Sequence, residues 1–187
     1  MLKEKAEIMD EKAIFRAVAR ISYEILERNH GADGLCVIGI KRRGAALAKM
    51  ISAKICEIEN TKIETAFIDI TPFRDDNKIK IPQEDTKHEC SEICFDVTGK
   101  KVVLVDDVIF TGRSARAAIE AVMRHGRPQL LQLAVLVDRG HRELPFRADF
   151  VGKNVPTSNS ETVKVMLMEY DGINRAAIFE QDETINK

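Results

Sequence analysis

The run Lys101-Val102-Val103-Leu104-Val105-Asp106-Asp107-Val108-Ile109-Phe110-Thr111-Gly112-Arg113-Ser114 reads as a strand that ends in two adjacent carboxylates, crosses a small-residue turn and enters a helix. Val102 to Val105 is wholly apolar and mostly β-branched, which suits a strand covered on both faces, the condition of a parallel sheet. The helix is predicted over Ala115–His125 and closed by Gly126. Working outward, Leu35–Ile40 reads as another buried strand, followed by the basic loop Lys41-Arg42-Arg43-Gly44 and a helical pattern from Ala45 to about Ile58. Ile63–Ile70 and Leu130–Val137 add two more strands, and Val163–Leu167 and Ala176–Phe179 are weaker ones. Before them, Ile14, Val18, Ile21 and Ile25 recur at helical spacing between Asp10, a predicted N-cap, and Asn29, with Gly31 just beyond. Strands alternating with helices predict an α/β domain: a mostly parallel central sheet flanked by helices.

The carboxyl edge of such a sheet is where ligands bind. The helix N-terminus after Thr111 offers unpaired N–H groups and a partial positive charge, Gly112 permits close approach of the backbone, and Thr111 and Ser114 add hydroxyls. A phosphate fits there without a lysine. Asp106 and Asp107 would repel a bare phosphate but accept hydrogen bonds from the vicinal hydroxyls of a sugar, so a sugar phosphate satisfies both halves. Neither G-x-x-x-x-G-K-[ST] nor a strand-borne G-x-G-x-x-G is present, which removes most of the weight from kinase and dehydrogenase readings.

At 187 residues the chain is expected to form one domain, 1–187, with one site. Within it, Thr71–Gly99 is polar and longer than the usual connection, and is expected to be a lid or hairpin arm, an insertion at about 71–99, in preference to plain disorder. A net charge of -1 excludes a wholly basic nucleic-acid binder, so any RNA contact must come from a local patch. No apolar run approaches the roughly 20 residues of a membrane span, and the opening Met1-Leu2-Lys3-Glu4-Lys5 has no apolar core; a cytoplasmic location is expected. Cys36, Cys56, Cys90 and Cys94 read as reduced thiols. His88, Cys90 and Cys94 are close in sequence but lack a fourth ligand, so no zinc site is expected.

The fourteen-residue run resembles the signature by which type I phosphoribosyltransferases bind phosphoribosyl pyrophosphate (PRPP). Arg113 stands where many members carry a second glycine, and an arginine there is similar to the PyrR family, uracil phosphoribosyltransferases that also regulate pyrimidine operons by binding messenger RNA. Ile40-Lys41-Arg42-Arg43-Gly44, Ile68-Asp69-Ile70-Thr71-Pro72-Phe73-Arg74-Asp75-Asp76 and Leu133 to Ser158 also resemble PyrR segments, so the likeness covers nearly the whole chain.

That resemblance implies the type I phosphoribosyltransferase fold with a small hood, PRPP and uracil as substrates, UMP and UTP as further ligands, and Mg²⁺ held mainly through PRPP, with no dedicated metal residues. It implies that Asp106 and Asp107 hold the ribose, that Val108, Ile109, Phe110, Thr111, Gly112, Arg113 and Ser114 form the phosphate cradle, and that Lys41, Arg42 and Arg43 form the pyrophosphate loop. Arg74 would close over the same group. Asp106, Asp107 and Arg42 are the catalytic candidates, with Asp107 the candidate general base. Asp138, Arg139 and the backbone near Val163 and Val165 would surround the base; purine enzymes of the class typically carry lysine where Asp138 stands, which favours uracil. Arg16, Arg20, Arg28, His141, Arg142, Arg147 and Lys153 would form an RNA face, and a homodimer or higher assembly is implied. The chain departs from the pattern at Arg42, commonly threonine, and at Ala19 and Tyr23, where relatives often carry a small hydroxyl residue and a histidine. The competing readings are an RNA-binding regulator with weak or lost catalysis and a purine phosphoribosyltransferase.

Overall fold

The computed structural model describes residues 2–74 and 93–181. Along the chain, β1 (Leu2–Met9) precedes α1 (Glu11–Asn29), and the expected alternation follows as β2 (Leu35–Ile40), α2 (Arg43–Glu59), β3 (Glu64–Ile68), β4 (Lys101–Ile109), α3 (Arg113–Met123), β5 (Leu130–Asp138) and β6 (Phe150–Asn154). Then come β7 (Glu161–Met166), the single-turn α4 (Met168–Asp171) and β8 (Arg175–Gln181). The first four parallel strands and their helices follow the predicted order. β6 adds a fifth strand that no isolated apolar run announces.

The main sheet runs β3-β2-β4-β5-β6 and every neighbouring pair in it is parallel. Because successive strand residues face opposite sides, Val37, Val103 and Leu136 join the core beneath α1 and α2, while Cys36, Ile38 and Leu104 join the core that also takes Ala117, Ala118 and Val122 of α3. The strands are therefore apolar throughout rather than alternating, as the sequence of β4 predicted. Asp10 caps α1 by accepting the N–H of Ala13 at 2.7 Å. α3 starts two residues earlier than Ala115 because Gly112, at φ 91°, turns the chain directly into the helix, and it ends at Met123 rather than His125.

A second, three-stranded antiparallel sheet of order β1-β8-β7 joins the two ends of the described chain. Its first strand, Leu-Lys-Glu-Lys-Ala-Glu-Ile-Met, is exposed along most of its length, so no apolar alternation marks it; pairing with β8 makes it a strand. Of the segment expected to be a hood or arm, Thr71–Phe73 form one 3-10 turn and Ile93 and Val97 are buried against the α3 side of the sheet. The body of that insertion, and with it His88 and Cys90, lies outside the described residues. Cys36 and Cys56 are free thiols. Among the described residues no helix is long and apolar enough to cross a membrane.

Candidate active site

The register of the central strands opens the site. Pairing of β2 with β4 ends at Gly39 opposite Val105, while β5 follows β4 further, to Asp138 opposite Ile109. Asp106 and Asp107 thus project past the end of β2, and the space beside them is filled by the loop that leaves it. Gly44 brings that loop in: a Cβ there would lie 2.5 Å from the carbonyl oxygen of Val105 and 3.1 Å from the Cα of Asp106. Only a glycine lets the basic loop approach the acid pair so closely. The Lys41–Arg42 peptide in this loop is cis.

Two adjoining cavities result. One, of about 260 Å³, is lined by Lys41, Arg42, Arg43, Asp69, Asp106 and Asp107 among others. The other, of about 380 Å³, is lined by Ile109, Phe110, Thr111, Gly112, Arg113 and Ser114. Arg74, Asp106, Val108 and Ser114 line both. Every residue predicted to bind PRPP therefore lines one continuous region at the carboxyl edge of the sheet.

Its electrostatics are those of a pair of acids between two cationic walls. The backbone N–H of Asp107 donates to Oδ1 of Asp106 at 2.9 Å, and that of Val108 to Oδ1 of Asp107 at 2.8 Å. Burial, followed by the neighbouring charge of Asp107, holds the Asp106 carboxyl well above the usual carboxylate range; burial raises Asp107 as well, against the opposing pull of Arg43. Such a pair is poised to take on cations and hydroxyl donors. In the turn before α3, Thr111 Oγ1 accepts the N–H of Arg113 at 3.3 Å, and the carbonyl of Thr111 accepts the N–H groups of Glu143 and Leu144 at 3.0 and 2.9 Å. Arg113 Nε donates to Glu143 at 2.8 Å. Glu143 is thus a wall of the site that the sequence did not reveal; its partner, Arg113, lies 30 positions away and only the fold joins them.

A third cavity, of about 360 Å³, lies at the end of β5, lined by Asp138, Arg139, His141, Asn154, Val155 and Thr157 among others. Asp138 accepts from the N–H of Gly140 at 2.9 Å and pairs with Arg142 at 2.6 Å. Arg139 is 5% exposed, and its guanidinium donates to Thr157, to the carbonyl of Ser158 and to that of Glu161, lying 4.0 Å over the ring of Phe110. The side chains of Val163 and Val165 are buried in the core beneath α1. What reaches this cavity from β7 is its preceding turn, drawn in by Arg139.

The residues predicted for RNA fall into two groups. Arg20 donates to the carbonyls of Val151 and Gly152, Arg28 pairs with Asp149, and Lys153 donates to the carbonyl of Ile8, so α1 and β6 share one basic face; Arg16, on the same helix, and Arg147 are exposed. His141 and Arg142 belong to the rim of the β5 cavity, where Arg142 bonds Asp138 and the carbonyls of Phe110, Gly140 and Phe146.

For a cation, the chemistry of the donors decides. Among the described residues no three or more His, Cys, Asp or Glu side chains gather in a cage. The acid pair Asp106 and Asp107, lining a polar cavity, instead fits Mg²⁺, which is commonly held by one or two carboxylates together with substrate phosphates. A sugar carrying phosphate at one end and a larger anion at the other is chemically matched to the acid pair, the turn and the basic loop together, and the fold is that of the type I phosphoribosyltransferases. The family described as "Phosphoribosyl transferase domain" matches residues 4–170. Among solved structures, a hypoxanthine-guanine phosphoribosyltransferase of Bacillus anthracis superposes with a TM-score of 0.69 at 18% identity over 97% of this chain and 100% of that one. A hypoxanthine phosphoribosyltransferase of Staphylococcus aureus gives 0.70 at 16% identity over 98% and 95%. At such identities these show the fold alone. In sequence, the chain is 55% identical to the bifunctional protein PyrR of Acetivibrio thermocellus over 94% of both chains, and 55% identical to that of Clostridioides difficile over 95% of this chain and 99% of the relative. The chain belongs to the PyrR family of phosphoribosyltransferases.

Proposed function

We propose that the protein transfers ribose 5-phosphate from PRPP to uracil, yielding UMP and pyrophosphate, and that it also binds pyrimidine-operon mRNA in response to uridine nucleotides. The observation that carries the first activity is the convergence of the acid pair, the phosphate turn and the basic loop on adjoining cavities. The relatives named bifunctional support the second.

In the reaction the bond from the anomeric carbon to pyrophosphate oxygen breaks, the bond from that carbon to the base nitrogen forms, and the proton of that nitrogen is lost. Asp106 and Asp107 orient the ribose through its hydroxyls, which is positional catalysis. Residues Val108 to Ser114 hold the 5-phosphate by backbone N–H groups and hydroxyls at the start of α3. Negative charge grows on the departing pyrophosphate, and Lys41, Arg42, Arg43 and Arg74 are the cations nearest to it; preorganised charge of this kind is a large catalytic term. Mg²⁺ would enter with PRPP, held mainly by its phosphates beside Asp106 and Asp107, and would supply further neutralisation of that charge. Asp107 is the candidate to accept the base proton. Asp138, Arg139 and the turn before β7 shape the base cavity, and the Asp138 carboxylate in place of a lysine favours uracil over a purine. The insertion at about 71–99 is proposed as the hood over the site, and the family supports a cytoplasmic homodimer or larger assembly.

The test is incubation of the purified protein with Mg²⁺, PRPP and uracil, with hypoxanthine in parallel, and separation of the nucleoside monophosphates. UMP from uracil alone is expected. IMP instead would keep the superfamily and overturn the base; PRPP binding without product from either base would leave the regulator.

A further inference from the structure

Arg43 is tied to a residue that nothing above gives a role. Its Nη2 donates to Oδ1 of Asp171 at 2.7 Å and its Nε to Oδ2 at 3.1 Å, a two-point contact between the first residue of α2 and the last of α4, 128 positions apart. The same Oδ2 accepts the N–H of Leu167 at 2.9 Å, so the carboxylate is itself held by the turn that follows β7. A second pair, Lys49 to Glu169 at 2.7 Å, fastens the same turn to α2 further along. The hydrogen bond to Arg43 holds the Asp171 carboxyl below the usual range, and the charge of Asp107 also acts on Arg43. Arg43 is therefore bonded to a carboxylate of the small sheet's connecting turn while it lines the same cavity as Asp106 and Asp107.

We infer that Asp171 is a positioning residue for the transfer reaction: it fixes the guanidinium of Arg43 at the wall of the pyrophosphate cavity. An arginine side chain alone carries about 2 kcal/mol of rotamer entropy. A carboxylate that grips the Nε and Nη2 edge removes that freedom in the free protein and leaves Nη1 as the edge that can still donate to an anion entering the cavity. A guanidinium already held does not have to be ordered when the leaving group arrives, and preorganisation of this kind acts on affinity and on rate together. The pair is partly exposed, with side-chain exposures of 39% and 21%, so its direct contribution to folding is small. The role assigned to Asp171 concerns the site, and it rests on the reading of the loop 41–43 as the pyrophosphate loop.

Asp171→Asn separates the two jobs of the carboxylate. An amide oxygen in place of Oδ2 still accepts from Leu167, while the charge and the two-point grip on Arg43 are lost. The expected result is a rise in KM for PRPP and in the inhibition constant of pyrophosphate by about tenfold, with KM for uracil unchanged and the melting temperature held. In the Arg43→Ala background, the same Asp171→Asn change is expected to add nothing, because Asp171 acts through Arg43. Wild-type values in the single variant, or an equal further loss in the double one, would overturn the inference. If the wild type itself makes no UMP, the proposed reaction fails instead, and calorimetric affinity for pyrophosphate in the two single variants and the double variant still decides whether Asp171 positions Arg43.

Discussion

The backbone N–H of Asp107 donates to Oδ1 of Asp106, so the first carboxylate of the pair is oriented by the peptide that carries the second. Both carboxyls are raised, Asp106 by burial and then by the charge of Asp107, and Asp107 by burial. A carboxyl whose folded pKa lies above its unfolded value, about 3.9 for aspartate, contributes stability that is complete below the unfolded value and lost as pH rises through the folded one. Asp106→Asn removes that loss. Its urea midpoint at neutral pH is expected to equal or exceed that of wild type, the difference closing as pH falls toward about 3.5, while UMP formation drops about a hundredfold or more. A variant less stable than wild type at neutral pH would show that the pair is held for folding rather than for its ligand.

Gly44 sets the distance between the basic loop and that pair. A Cβ at 2.5 Å from the Val105 carbonyl cannot be relieved by rotating a side chain, since the obstructing atom is backbone. Gly44→Ala is expected to destabilise the fold by about 1–3 kcal/mol through overpacking and to weaken PRPP binding by shifting Lys41 to Arg43 outward. Urea denaturation and PRPP calorimetry read the two effects. Unchanged PRPP affinity would separate the loop's position from its function.

Cys36 lies fully buried in β2, where burial, aided by the charge of Glu64, pushes its thiol up to about 12. A thiolate is the reactive form, so Cys36 is expected to survive alkylation of the native protein near pH 8 while the exposed Cys94 is modified. Peptide mapping by mass spectrometry distinguishes them. Early labelling of Cys36 would mean that β2 opens locally.

The parts of the protein legible in its sequence are those governed by local pattern. β2, β4 and β5 are continuous apolar runs because both faces are covered, and the acids and small residues after β4 mark the site because ligands meet that edge. Less legible are the parts made by pairing across the chain. β1 is mostly exposed and becomes a strand only against β8, so the small sheet built from the two ends had no signature near residue 2. Glu143 and Asp171 are ordinary surface acids in sequence, and only the fold sets them on Arg113 and Arg43. Arg139 was expected to face the base by resemblance, yet its donors go to the turn before β7, a commitment that no spacing reveals.

That commitment makes a prediction of its own. Arg139 crosses from the end of β5 to the 157–161 turn and covers the Phe110 ring, so it joins the cavity at the end of β5, proposed for the base, to the one lined by Phe110, proposed for the phosphate. Arg139→Met keeps the length of the stem but takes the guanidinium donor from the Thr157 hydroxyl and the Glu161 carbonyl, while the Ser158 carbonyl keeps the N–H of Glu161. The cost is expected to be about 2–3 kcal/mol in unfolding free energy, with KM for uracil raised more than KM for PRPP. An increase confined to PRPP would place Arg139 with the phosphate turn instead.

The proposed RNA face gives a test in salt. Arg20 and Arg28 are engaged with β6 and its preceding residue, so their substitution alters the packing of α1 as well as its charge. Arg16 is exposed on the same helix and offers a cleaner probe. If the α1 and β6 face contacts phosphates, the affinity for pyrimidine-operon RNA falls linearly with salt on logarithmic axes, with a slope of about -0.7 to -0.9 for each phosphate contact. Arg16→Ala is then expected to make the slope shallower by about one contact's worth, equally for matched and mismatched RNA loops, with UMP formation unaltered. An unchanged slope would remove Arg16 from the phosphate contacts, and a loss restricted to the matched loop would move it from backbone contact to base recognition.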